Sequence, residues 1–156
     1  SIAGALGLCQ LARLPEWNRR RRANAETLNA GLADLSWLTV PTERAGCAHV
    51  YHQYVLMVRD RARLQAHLQA AGVGSDVHYP RLITDQPLYQ RLGYTSERFP
   101  AARRLAEAVL SLPVHPALDA DDLRTIIAAV RGFTPADEGA SAAGVKESPC
   151  HLNGKP

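Results

Sequence analysis

The stretch His49–Val58, HVYHQYVLMV, constrains the fold of this chain more than any other. β-branched and aromatic side chains dominate it and Arg59-Asp60 closes it, so it reads as a strand. Side chains alternate between the two faces of a strand. One set here is Val50, Tyr54, Leu56 and Val58; the other is Tyr51, Val55 and Met57, and both are largely apolar. A strand apolar on both faces belongs in the middle of a covered sheet.

Helical spacing surrounds this strand. Ile2, Ala5, Leu6 and Cys9 recur along one face, widened by Leu8 and Leu11. Pro15 interrupts an interior helix but suits a first turn. The pattern predicts two helices, about Ile2–Leu14 and Pro15–Asp34, or one kinked helix. Trp17, Ala25, Leu28, Leu32 and Leu35 of the second face inward. Thr39–Ala48, with Pro41 and Gly46, reads as a loop. Asp60 is placed to cap a helix running to Ala71 with Leu64 and Leu68 inward. Gly72 would end that helix in a left-handed cap, with Val73 as its apolar contact.

A short strand is expected at Gly74–Tyr79, stopped by Pro80, and a short helix near Pro87–Arg91. Pro100–Leu110 reads as a helix with Ala102, Leu105, Ala106 and Val109 inward. LSLPV, Leu110–Val114, reads as a strand or extended stretch. Asp119 caps a last helix whose core face is Leu123, Ile126, Ile127 and Val130, with Gly132 at its end. From about Thr134 the chain is small, polar and unpatterned, as in disordered tails. The expected class is α+β: a small three-stranded sheet with packed helices and a long N-terminal helical segment. The expected division is a helical segment at 1–35, the small domain at 36–133 and a tail at 134–156.

Composition excludes several classes. No run reaches the roughly 18 consecutive apolar residues of a membrane span. The N-terminus lacks the charged, apolar and small-residue order of a secretory signal. Cys9, Cys47 and Cys150 are odd in number and widely spaced, which argues against a disulfide framework and for the cytoplasm. The formal net charge is +3, mildly basic. Arg19–Arg22 is a run of like charge, but successive helical residues point in different directions, so a solvated helix face explains it better than a nucleic-acid patch. Cys47, His49 and His52 lack a second pair of metal ligands. Nothing fixes Cys150 and His151 as a thiol site. Gly72 and Gly74 are too few glycines for a phosphate cradle.

One corner remains unexplained by packing: GVGSDVHYPRLITDQPLYQ, Gly72–Gln90, which sets a His-Tyr-Pro turn and an arginine directly after a strand. Polar residues on loops beside a rigid scaffold commonly carry function. Taken with GALGLCQLARLPEWNRRRR, HVYHQYVLMV, DQPLYQRLGY and LSLPVHPALDADDL, in one order, this corner resembles a known family. From Ser1 to about Phe133 the chain is similar to the C-terminal part of the pyridoxal-phosphate-dependent sugar aminotransferases of the DegT/StrS type.

The resemblance implies a fold-type-I aminotransferase, with a large cofactor domain followed by a small C-terminal domain, acting as a homodimer. It implies transfer of an amino group from an amino acid, usually glutamate, to a nucleotide-linked keto sugar in polysaccharide or antibiotic-sugar pathways. It places His78, Tyr79 and Arg81 near the substrate. Such chemistry needs a lysine for the cofactor aldehyde. The lysines here are Lys146 and Lys155, both in the unpatterned tail. The family's lysine, its acidic partner and its phosphate-binding residues lie upstream. The resemblance therefore implies a fragment without catalytic, cofactor-binding or metal residues of its own, inactive without a missing N-terminal large domain. The alternative is a stand-alone, non-catalytic binding module derived from that domain.

Two departures from the family pattern stand out. His-Tyr-Pro continues as Arg81-Leu82-Ile83-Thr84 where the family commonly has Pro-Leu-His after one residue. Ala3-Gly4-Ala5 replaces Gln-Ala-Ala, and a mid-helix glycine costs about 1 kcal/mol against alanine.

Overall fold

The computed structural model describes residues 2–136. The unpatterned tail, from residue 137 onward, lies outside the described residues, and with it Lys146, Cys150, His151 and Lys155. Two N-terminal helices, α1 (Ile2–Leu11) and α2 (Leu14–Leu32), are separated by a break at Ala12-Arg13, with Pro15 in the first turn of α2. Proline is tolerated there because the first-turn N–H groups have no intrahelical acceptor.

The sheet has three strands, β1 (Leu38–Thr39), β2 (Tyr54–Val58) and β3 (Val109–Leu112). All pairings are antiparallel and β2 is central, with Leu38 opposite Val58 and Tyr54 opposite Leu112. The central place expected of this strand holds, but its extent is shorter. His49–Gln53 is irregular because Tyr51 adopts a left-handed backbone, φ 45°. The expected strand Gly74–Tyr79 is also corrected: it makes a single bridge, Asp76 to Ser111, and the third strand is Leu38–Thr39, within and just before the stretch read as a loop.

Tyr54, Leu56, Val58, Leu110 and Leu112 are buried on one face. Against them pack Ala25, Leu28 and Leu32 of α2, Leu64 and Leu68 of α3 (Arg61–Ala70), and Leu123, Ile126 and Val130 of α6 (Ala120–Arg131). The two other α-helices among the described residues are α4 (Pro87–Arg91) and α5 (Pro100–Ala108). Helix α5 touches the opposite face near β2, and Arg61 donates to the Ala106 carbonyl. Its expected inward face is covered only in part: Leu105 is 47% exposed and Ala102 is exposed, while Ala106 and Val109 are half-buried, and the helix stops at Ala108 so that Val109 begins β3. Val55 and Met57 are accordingly only half-buried, so β2 has full cover on one face alone.

Local chemistry sets the ends of α3 and α6. At α3, Val73 N–H bonds Leu68 O at 2.9 Å and Gly72 N–H bonds Gln69 O at 3.1 Å. With Gly72 at φ 75°, this is the double-bonded left-handed cap that glycine favours. Asp60 precedes α3 but caps nothing with its side chain, which pairs with Arg63 instead. Asp119 does cap α6, accepting from Asp121 and Asp122 N–H while the Asp122 carboxylate accepts from Asp119 N–H. Gly31 lets α2 approach α6: a Cβ there would meet Ile127 at 2.7 Å.

Candidate functional site

β3 turns Ser111 away from its apolar neighbours, and the segment before the His-Tyr-Pro turn runs alongside it. Asp76 N–H donates to Ser111 O at 3.1 Å and Ser111 N–H to Asp76 O at 2.8 Å. In extended backbone residues two apart share a side. Asp76 and His78 thus line the cleft, while Val77 packs on the core. His78 Nδ1 lies 3.1 Å from Ser111 Oγ, and Nε2 lies 3.7 Å from Asp76 Oδ2.

The far wall comes from the ends of β2 and β3. His52, Gln53 and His115 border the cleft, with Arg21 of α2 at its edge. Helix α2 fastens this far wall at two places. Arg21 Nη1 donates to Tyr51 O and His52 O, each at 3.3 Å. Asn24, buried, donates to His115 O at 3.0 Å. The result is an open cleft of about 380 Å³ whose polar side chains include one guanidinium, imidazoles and the Asp76 carboxylate. Such a lining can hold an anion through charge-assisted hydrogen bonds and can hydrogen-bond hydroxyls.

Serine, histidine and aspartate also make hydrolytic triads, but this set does not. Ser111 is only 7% exposed. The carboxylate stands 3.7 Å from the ring nitrogen, beyond hydrogen-bond reach. A triad needs an accessible nucleophile and an oriented base.

Of the expected substrate-facing residues, His78 lines the cleft and Tyr79 and Arg81 do not. Tyr79 is in the left-handed region, φ 59°, and this turns its ring into solvent, 87% exposed. Arg81 follows Pro80 on the exposed side. The sequence reading missed Ser111, Arg21, His52 and His115. Only LSLPVHP held a signal, a polar residue alternating with leucines in a short strand.

The arginine run is committed within the chain. Arg22 forks onto Glu43 at 2.7 and 3.1 Å and donates to His49 O at 2.8 Å. Arg20 bonds Glu16 at 2.7 Å, and Arg19 pairs with the same carboxylate. The Arg22 guanidinium holds the Glu43 carboxyl below its ordinary range, helped by the His49 N–H. Among the described residues no three metal-ligating side chains converge, and His49 Nδ1 accepts from Tyr51 N–H at 2.8 Å. No described helix is long and apolar enough to cross a membrane.

Residues 1–131 match the model of the DegT/DnrJ/EryC1/StrS aminotransferase family. The chain belongs to that family. It is 35% identical over 122 residues to the erythromycin biosynthesis sensory transduction protein EryC1 of Saccharopolyspora erythraea, covering 78% of this chain and 33% of that one. It is 34% identical over 122 residues to the dTDP-3-amino-3,4,6-trideoxy-alpha-D-glucose transaminase of Streptomyces venezuelae, covering 78% and 32%. The crystal structure of S. venezuelae DesV with a ketimine intermediate superposes with a TM-score of 0.78 at 33% identity, over 81% of this chain and 34% of that one. The chain spans about a third of the length of these relatives.

Proposed function

We propose that this chain is the C-terminal part of a pyridoxal-phosphate-dependent enzyme that moves an amino group, with glutamate the expected donor, onto a nucleotide-linked keto sugar. The family match over residues 1–131 carries the reading. In it, residues 1–35 link to the large domain, 36–133 form the small domain and 134–156 a tail. The enzyme acts as a homodimer in the cytoplasm.

The described residues do not fit the cofactor itself. Residues 2–136 contain no lysine to capture its aldehyde, so no covalent step is assigned to them. Their part is to close one side of the site. His78 presents an imidazole to the sugar hydroxyls or the anionic tether, and Arg21 adds positive charge at the rim. Tyr79 and Arg81, on the outer side of the same turn, belong to this face only when another part of the enzyme lies against it.

Chemical-shift mapping of the 156-residue chain with UDP-N-acetylglucosamine tests the cleft. Perturbations are expected at Gln53, Asp76, His78 and Ser111. Perturbations confined to other surfaces, or none at millimolar ligand, sink the assignment.

A further inference from the structure

We propose that Ser111 is a positioning residue that fixes the tautomer and ring plane of His78. This inference rests on the reading of the cleft as ligand-facing, and it concerns a residue that does not itself reach the ligand.

The geometry selects one proton arrangement. His78 Nδ1 has the Ser111 hydroxyl at 3.1 Å. Nε2 is turned toward the Asp76 carboxylate, 3.7 Å away, and toward the open cleft. At 3.7 Å the carboxylate makes no hydrogen bond to Nε2, but its negative charge beside that nitrogen favours the proton there. Nδ1 then carries the lone pair, and the Ser111 hydroxyl donates to it. A histidine's second nitrogen is set by the bond its first one makes. A hydroxyl can serve either tautomer, so the Asp76 charge sets the choice, and the Ser111 hydroxyl, donating to Nδ1, holds it and the ring plane with Nε2–H toward the cleft.

Other polar groups around the ring do not replace this contact. Arg21 is tied to the Tyr51 and His52 carbonyls, and His52 and His115 sit on the opposite wall. Ser111 is buried on β3 and its backbone is held on both sides, by β2 and by Asp76. Its hydroxyl is thus a fixed point, whereas His78 sits on a loop beside an unusual left-handed residue, Tyr79.

The test is the ¹⁵N imidazole spectrum of His78 in the 156-residue chain, recorded where the ring is neutral. The wild-type ring is expected as the single Nε2–H tautomer. Ser111→Ala is expected to give a mixed pattern and Ser111→Thr to restore the single one. The Asp76–Ser111 bridge is backbone to backbone, so amide exchange at Asp76 should not change in Ser111→Ala. An identical His78 pattern in wild type and Ser111→Ala overturns the proposal. Should Ser111→Ala not fold, the wild-type spectrum decides, because an averaged or Nδ1–H pattern overturns it equally. Adding UDP-N-acetylglucosamine separates the two ideas. A fixed tautomer without any ligand-induced shift keeps the positioning role and refutes the ligand-facing cleft.

Discussion

Leu28, Leu56 and Leu64 are wholly buried, whereas Leu6, Leu8 and Leu11 of α1 are 59%, 71% and 61% exposed. Both groups are leucines on regular elements, so residue type does not distinguish them. What differs is the partner. The buried set lies where α2, α3 and α6 meet the sheet, and no residue of α1 is buried at all. A second uncovered region lies beyond the His-Tyr-Pro turn, where Ile83, Leu88 and Leu92 are at least 60% exposed. Contiguous apolar surface of this kind marks an interaction site.

The contrast is open to direct attack by mutation. Leu56→Ala should destabilise the chain by about 2–5 kcal/mol in a urea melt, the cost of a cavity in a filled core. Gly31→Ala should cost roughly 1–3 kcal/mol through overpacking against Ile127, more than the helix propensity it gains. Tyr54→Phe should cost about 1 kcal/mol, because the Tyr54 hydroxyl donates to half-buried Asn29 Oδ1 at 2.8 Å. Leu8→Ser should change stability by less than about 0.5 kcal/mol while lowering binding of an apolar dye. A large loss from Leu8→Ser would show that α1 is packed after all, and the distinction between the two regions would fail.

The smallest effect expected is acid-dependent. Glu43 is held below its ordinary range by Arg22 and by the His49 N–H. A lowered carboxyl contributes stability above its unfolded value and loses it as pH falls through the folded one. The protection factor of the His49 amide, its exchange relative to the intrinsic rate at each pH, should therefore fall as the solution is acidified through and below the usual carboxylate range. Glu43→Gln should flatten that dependence. The Tyr54 hydroxyl is pushed up by burial, so its contribution is lost at strongly alkaline pH instead.

Much of the fold was legible because its signals are local. Asp119 with Asp122, Gly72 with Val73, and Pro15 each specify a helix end within a few residues, and all three ends lie where the sequence puts them. The central place of Tyr54–Val58 followed from apolar side chains on both faces. Pairing partners were not legible. Leu38–Thr39 is too short to show a period, and Gly74–Tyr79 looked like a strand but makes one bridge. The site was half legible for the same reason. His78 lies in an evident polar turn, but Arg21, Ser111 and His115 reach its cleft from far along the chain. Tyr79 and Arg81 were grouped with His78 by the family resemblance, and a positive φ, invisible in sequence, turns the Tyr79 ring to solvent in the isolated chain.

The central claim is that this chain supplies a ligand-facing surface and not the amine that captures the cofactor. Its most direct test is to incubate the purified chain with pyridoxal phosphate, glutamate and a nucleotide-linked keto sugar. Amino transfer is measured, and then any adduct is trapped with borohydride and located by mass spectrometry. The account predicts no transfer and no stoichiometric adduct at a single residue. Amino transfer by the chain alone, with one adduct at Lys146 or Lys155, would contradict it.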